Sequence, residues 1–185
     1  MRFFKKKGVA VILTVLIVIV STLLSFNIRF GNKCQDIING FYDGVYYNGE
    51  VQESTASHLK KISKAAEEIS VIASSYNIDA RNLDYAVENL NLGFRYSAED
   101  ISYLHYCYSD LMKEIKDMQS RLKDNVNAED EEDLSEYKSL IDKEVDALES
   151  TGYNESVREF HREYDRFPVT FLSDFAGMWL PEYFM

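Results

Sequence analysis

Three histidines (His58, His105, His161) and two cysteines (Cys34, Cys107) are the side chains best suited to nucleophilic or metal chemistry, and sequence spacing groups none of them into a known motif. His105-Tyr106-Cys107 puts two soft ligands two residues apart, which on a helix points them about 200° apart. Zinc needs three or four converging ligands, so no metal site is expected. Asn125, Asn127, Glu129 and Glu136 faintly echo a calcium loop, but Asp130 stands where the sharp turn needs glycine. That stretch reads as a solvated acidic turn. Asn154-Glu155-Ser156 fits a glycosylation sequon, yet it falls inside an expected helix. The sequence contains no Gly-rich phosphate loop, no nucleophile elbow and no paired His-Glu zinc motif. No enzyme, no catalytic residue and no cofactor is expected. The cysteines, without a spacing pattern, read as free thiols.

The elements that would position any site begin with a membrane segment. Arg2, Lys5, Lys6 and Lys7 precede an uncharged apolar run from Gly8 to Phe26. At 1.5 Å per residue, such a helix spans roughly 28 Å, close to the hydrocarbon thickness of a bilayer. A cleaved signal peptide has a shorter core and small residues at its exit, whereas this run leaves through Ser25-Phe26-Asn27-Ile28-Arg29-Phe30. A lipoprotein is disfavoured by Lys33 directly before Cys34. The reading is an uncleaved single-pass anchor over 8–27 behind a basic flank at 1–7, followed by a juxtamembrane segment and linker over 28–53. By the positive-inside rule the amino terminus is cytoplasmic and the body lies outside the cell membrane, since only Arg29 and Lys33 follow the run closely.

Charge narrows the partners. The chain carries −11 overall, and setting aside the four leading basic residues leaves 16 Lys and Arg against 31 Asp and Glu, or −15. A body that acidic does not bind nucleic acid through its phosphates, and anionic head groups repel it. About 150 residues beyond the anchor suffice for one sizeable core.

Hydrophobic periodicity then predicts an all-α, antiparallel bundle of three to four long helices over 54–185. Leu59, Ile62, Ala66, Ile69, Ala73 and Tyr76 form one helical stripe. Leu83, Val87, Leu90 and Phe94 form a second, expected to stop near Gly93. Ser97-Ala98-Glu99-Asp100 reads as a capped helix start for Ile101, Leu104, Tyr108, Leu111, Ile115, Met118 and Leu122. An acidic break over Asn125–Asp133 precedes Leu134, Tyr137, Ile141, Val145 and Leu148, which continue into Val157, Phe160 and Tyr164. Gly152 is a candidate interruption, and Phe167-Pro168 a stop.

The last 33 residues carry Tyr153-Asn154, Phe160-His161, Phe167-Pro168, Phe175-Ala176-Gly177-Met178 and Tyr183-Phe184 in order. This block resembles the carboxyl end of the LemA family, where a helical Tyr-Asn pair is followed by a second pair, Phe-Pro, an Ala-x-x-x-Gly-Phe-like stretch and a terminal Tyr-Phe. That family also places one membrane span before a helical bundle. The chain departs from it at His161, where the second pair has Asn, and at the adjacent Ala176 and Gly177. The family's Asp, Arg-pair and Ile-Pro-Asn-Leu motif is absent from 36–61. The resemblance implies an architecture and a membrane location rather than an activity, and often a cytoplasmic body, against the charge argument. The aromatic block reads as a tail folded back on the helices, with a partner-docking or membrane-dipping patch as the rival. Tyr153, Asn154, His161, Trp179 and Tyr183 are the candidate partner-binding residues, of which the exposed ones count. The expected function is a non-catalytic scaffold or adaptor binding another envelope protein; the alternative is a bundle sensing a ligand or peptide in a pocket lined by Tyr and His.

Overall fold

The computed structural model describes residues 2–47, 50–96, 100–123, 125–166, 169 and 180–184, and the side chains of all of these except 2–7, 46, 47, 50, 51 and 96. Six helices follow one another among the described residues: α1 (Arg2–Asp43), α2 (Thr55–Ser75), α3 (Arg81–Tyr96), α4 (Ile101–Leu122), α5 (Ala128–Glu149) and α6 (Tyr153–Tyr164). The described strands are β1 (Tyr46–Tyr47) and β2 (Glu50–Val51), an antiparallel ribbon flanking the Asn48-Gly49 pair. The chain is an all-α helical bundle, and α1 carries a stretch long and apolar enough to cross a membrane.

The 28–43 segment is not a linker. α1 runs unbroken for 42 residues, about 63 Å of helix. Its second half carries a stripe of its own: Phe30, Cys34, Ile37 and Phe41, spaced four, three and four. Cys34, Ile37 and Phe41 are buried, and Phe30 packs partly buried against the same core. Gly31 and Gly40 weaken helix propensity by about 1 kcal/mol each, and burial of this stripe outweighs them.

α2 and α3, α3 and α4, and α2 and α5 each run antiparallel, which leaves α2 and α4 parallel. α2 leads away from the end of α1; α3 returns, with Lys60 over the Phe94 ring at 5.4 Å. α4 leads away again, so that Arg121 near its end donates to the Asp79 carbonyl ahead of α3 at 2.9 Å. α5 returns along α2, and α6 continues down α1, with Phe30 edge-on to Phe160 at 5.6 Å and Phe41 edge-on to Tyr153 at 5.2 Å. α2 is the central element, packed on α1, α3, α4 and α5.

The stripes read from the sequence on α2 and α4 lie in the core. Leu59, Ile62, Ala66, Ile69 and Ala73 are buried on α2, and all seven stripe positions from Ile101 to Leu122 are buried on α4. At about 1.5–3 kcal/mol for each large aliphatic removed from water, these stripes drive assembly. Gly93 does not stop α3. It lies at the α3–α4 contact, where an added Cβ would sit 2.9 Å from Leu104 Cδ2, so the missing side chain permits close approach.

Helix starts also depart from the reading. α4 is capped by Asp100, which accepts from the Tyr103 amide at 2.8 Å; Ser97, Ala98 and Glu99 lie outside the described residues. The acidic break shrinks because α5 begins at Ala128. Asn127 caps it by accepting from the Glu129 and Asp130 amides, and Glu129, Asp130 and Glu131 occupy the first turn, where the helix dipole favours acids. Gly152, at φ 70°, separates α5 from α6, a left-handed turn that glycine makes without strain. α6 ends at Tyr164, before the expected Phe167-Pro168 stop, which lies outside the described residues.

Candidate functional site

Two constellations bring polar side chains together. The first lies where the end of α5 meets the start of α2. The Ser54 side chain accepts from the Ser57 amide and fixes the first turn of α2. That turn aims His58 at α5, and the buried Glu144 faces it between Ile141 and Leu148. His58 Nδ1 and Glu144 Oε2 stand 2.5 Å apart, with side chains only 8% and 4% exposed. The hydrogen bond between them offsets part of the cost of taking both groups out of water.

The pair opens to solvent on one side. Lys61 Nζ reaches Glu53 Oε2 at 2.7 Å and Glu144 Oε2 at 3.5 Å. Ser57 Oγ donates to Glu53 Oε1 at 2.6 Å. The Lys61 ammonium and then the Ser57 hydroxyl hold the Glu53 carboxyl below the usual carboxylate range. Glu53 in return holds the Lys61 ammonium above its ordinary value. One imidazole nitrogen and two carboxylate oxygens, on Glu53, His58 and Glu144, lie within 4.8 Å of one another. This set corrects the reading of the histidines as isolated. The available signal was positional: His58 stands four residues before Ile62, and Glu144 midway between Ile141 and Leu148, each on an apolar stripe.

The second constellation is the carboxyl-terminal clasp. Tyr153 is buried, and its hydroxyl donates to the Glu182 carbonyl at 2.8 Å. Burial pushes its phenol well above the ordinary range. Asn154 Oδ1 accepts from the Phe184 amide at 2.9 Å, and His161 Nε2 lies 3.0 Å from the Pro181 carbonyl. The His161 ring stacks on Tyr183 at 5.5 Å. Between these polar ties, Phe184 inserts among Phe41, His105 and Tyr108 with centroids 5.4–5.6 Å away. Four of the five candidate partner-binding residues thus meet in one place and engage the chain's own terminus. Tyr183 is exposed, Tyr153 is buried, and Asn154 and His161 are half-buried; Trp179 lies outside the described residues.

The remaining candidates are placed plainly. His105 packs edge-on against Phe184 at 5.4 Å. The cysteines are free and buried, and burial raises the Cys107 thiol. The calcium-like residues are a helix start: Asp130 accepts from the Tyr76 hydroxyl, and the Asn127 amide donates to the Tyr76 oxygen at 2.9 Å. Asn154, the sequon residue, is committed to the Phe184 amide. The chain matches no family model, no curated protein and no solved structure.

Proposed function

We propose that the protein is a membrane-anchored, non-catalytic helical scaffold that presents its bundle to another envelope protein. The observation that carries this reading is the continuity of α1, whose apolar run leads directly into the buried Cys34, Ile37 and Phe41. Such a helix holds the bundle at a set position beside the bilayer. Tyr85 and Tyr106 add support, being 64% and 68% exposed on α3 and α4, since tyrosine is enriched where proteins meet. The sensing alternative draws less support, because His105 and His161 are occupied by Phe184, Tyr183 and the Pro181 carbonyl. Within this proposal the chain is a divergent LemA-like protein: Tyr153, Asn154, His161, Tyr183 and Phe184 from the resembling block fold together as one clasp.

The proposed orientation keeps the basic flank in the cytoplasm and the body outside. A Val71→Cys variant tests it, because Val71 is 65% exposed while Cys34 and Cys107 are buried. A membrane-impermeant maleimide on intact cells labels position 71 if the body is external. Protection until lysis, with a permeant reagent reacting throughout, places the body in the cytoplasm and moves the partner there.

A further inference from the structure

We propose that Glu53, His58 and Glu144 form a binding site for a divalent transition-metal ion of the zinc type, with the Lys61 ammonium as the cation it displaces. Donor chemistry and geometry carry this. The donor set is one imidazole nitrogen and two carboxylate oxygens, a combination that zinc accepts with a water in the fourth position. The three ligand atoms already lie within 4.8 Å of one another. Bonds of about 2.0–2.2 Å set tetrahedral ligand atoms about 3.3 Å apart, so Glu53 closes by an ångström or so and His58 and Glu144 part by somewhat less. The first change is open to a residue ahead of α2 whose side chain is 44% exposed.

The site is also built as metal sites are. Two ligands are fixed by burial on separate helices, and the third stands at the mouth as the entry route. Ser57 donates to the Glu53 oxygen that does not face Lys61, the kind of outer contact that orients a ligating carboxylate. A cation already bridges both carboxylates: Lys61 Nζ touches Glu53 at 2.7 Å and Glu144 at 3.5 Å. A divalent ion supplies more charge at that point and frees the lysine to water.

The test uses the full chain in detergent micelles and Zn2+ alone, titrated calorimetrically. One equivalent is expected to bind. Glu53→Gln is expected to weaken binding by about ten-fold or more, and Lys61→Gln to tighten it about five-fold, because a competing like charge is removed. Both side chains are over 40% exposed, so these variants retain the fold, which helical circular dichroism verifies. Co2+ is expected to give the visible bands of a tetrahedral site, lost in His58→Gln. Absence of saturable one-to-one binding overturns the proposal. So does equal affinity in the wild type, Glu53→Gln and Lys61→Gln, which leaves His58–Glu144 as an ion pair and any bound zinc elsewhere.

Discussion

Polar links tie α5 to α2 at both ends, and the main ones are built in opposite ways. At the start of α2 the His58–Glu144 pair is almost wholly buried. At its other end, Tyr76 gives its hydroxyl hydrogen to Asp130 and takes the Asn127 amide, in a setting open to water. The buried link couples two ionisable groups whose separation from each other is costly; the open one joins groups that water readily satisfies. The difference matters because α5 buries little else: Ile141 and Leu148 are its other buried residues. α5 is thus held firmly where it approaches α6 and loosely where it leaves α4. Between α4 and α5 the loose end leaves an open groove of about 460 Å3, floored by Val126 and Leu134.

The comparison breaks most directly at Glu144. Glu144→Ala strands a buried imidazole and is expected to cost about 3–5 kcal/mol, read as a lowered urea midpoint of the full chain in detergent. At the open end, Tyr76→Phe removes one donor and one acceptor and is expected to cost only about 1 kcal/mol by the same measurement. If the two losses are equal, burial is not what distinguishes the links. Replacing both His58 and Glu144 by Leu sharpens the point: the double variant is expected to unfold within about 1 kcal/mol of wild type, or later, because no charge is left stranded. A double variant as weak as Glu144→Ala would show that the pair itself carries the stability.

The smallest effect is that of pH on the exposed rim of the buried link. Glu53 titrates below its ordinary range when folded, so its contribution is present above about pH 4.3 and is lost as pH falls through the lowered folded value. Lys61 is raised, so its contribution is present below about pH 10.4 and is lost as pH rises through the folded value. Glu53→Gln is expected to flatten the acid side of the urea midpoint against pH, leaving the neutral plateau nearly unchanged.

Sequence periodicity exposes α2 and α4 well, because a three-four alternation of Leu, Ile and Ala admits few other structures. It hides the second half of α1, whose stripe of Phe30, Cys34, Ile37 and Phe41 is interrupted by Gly31 and Gly40 and mixed with Tyr and Asn. The His58–Glu144 pair spans 86 residues and is visible only as two polar side chains on apolar faces. Tyr153, Asn154 and His161 stand out by type, but what they bind are main-chain atoms of residues 181–184, which no side-chain pattern announces.

The unbroken α1 fixes a phase between its apolar stretch and the bundle. One residue inserted between Phe26 and Phe30 turns everything beyond it by about 100° and advances it by about 1.5 Å. A flexible tether would absorb that slip; a continuous shaft transmits it whole. The same coupling works in reverse: an axial twist imposed on the bundle reaches the apolar segment as rotation about its own axis.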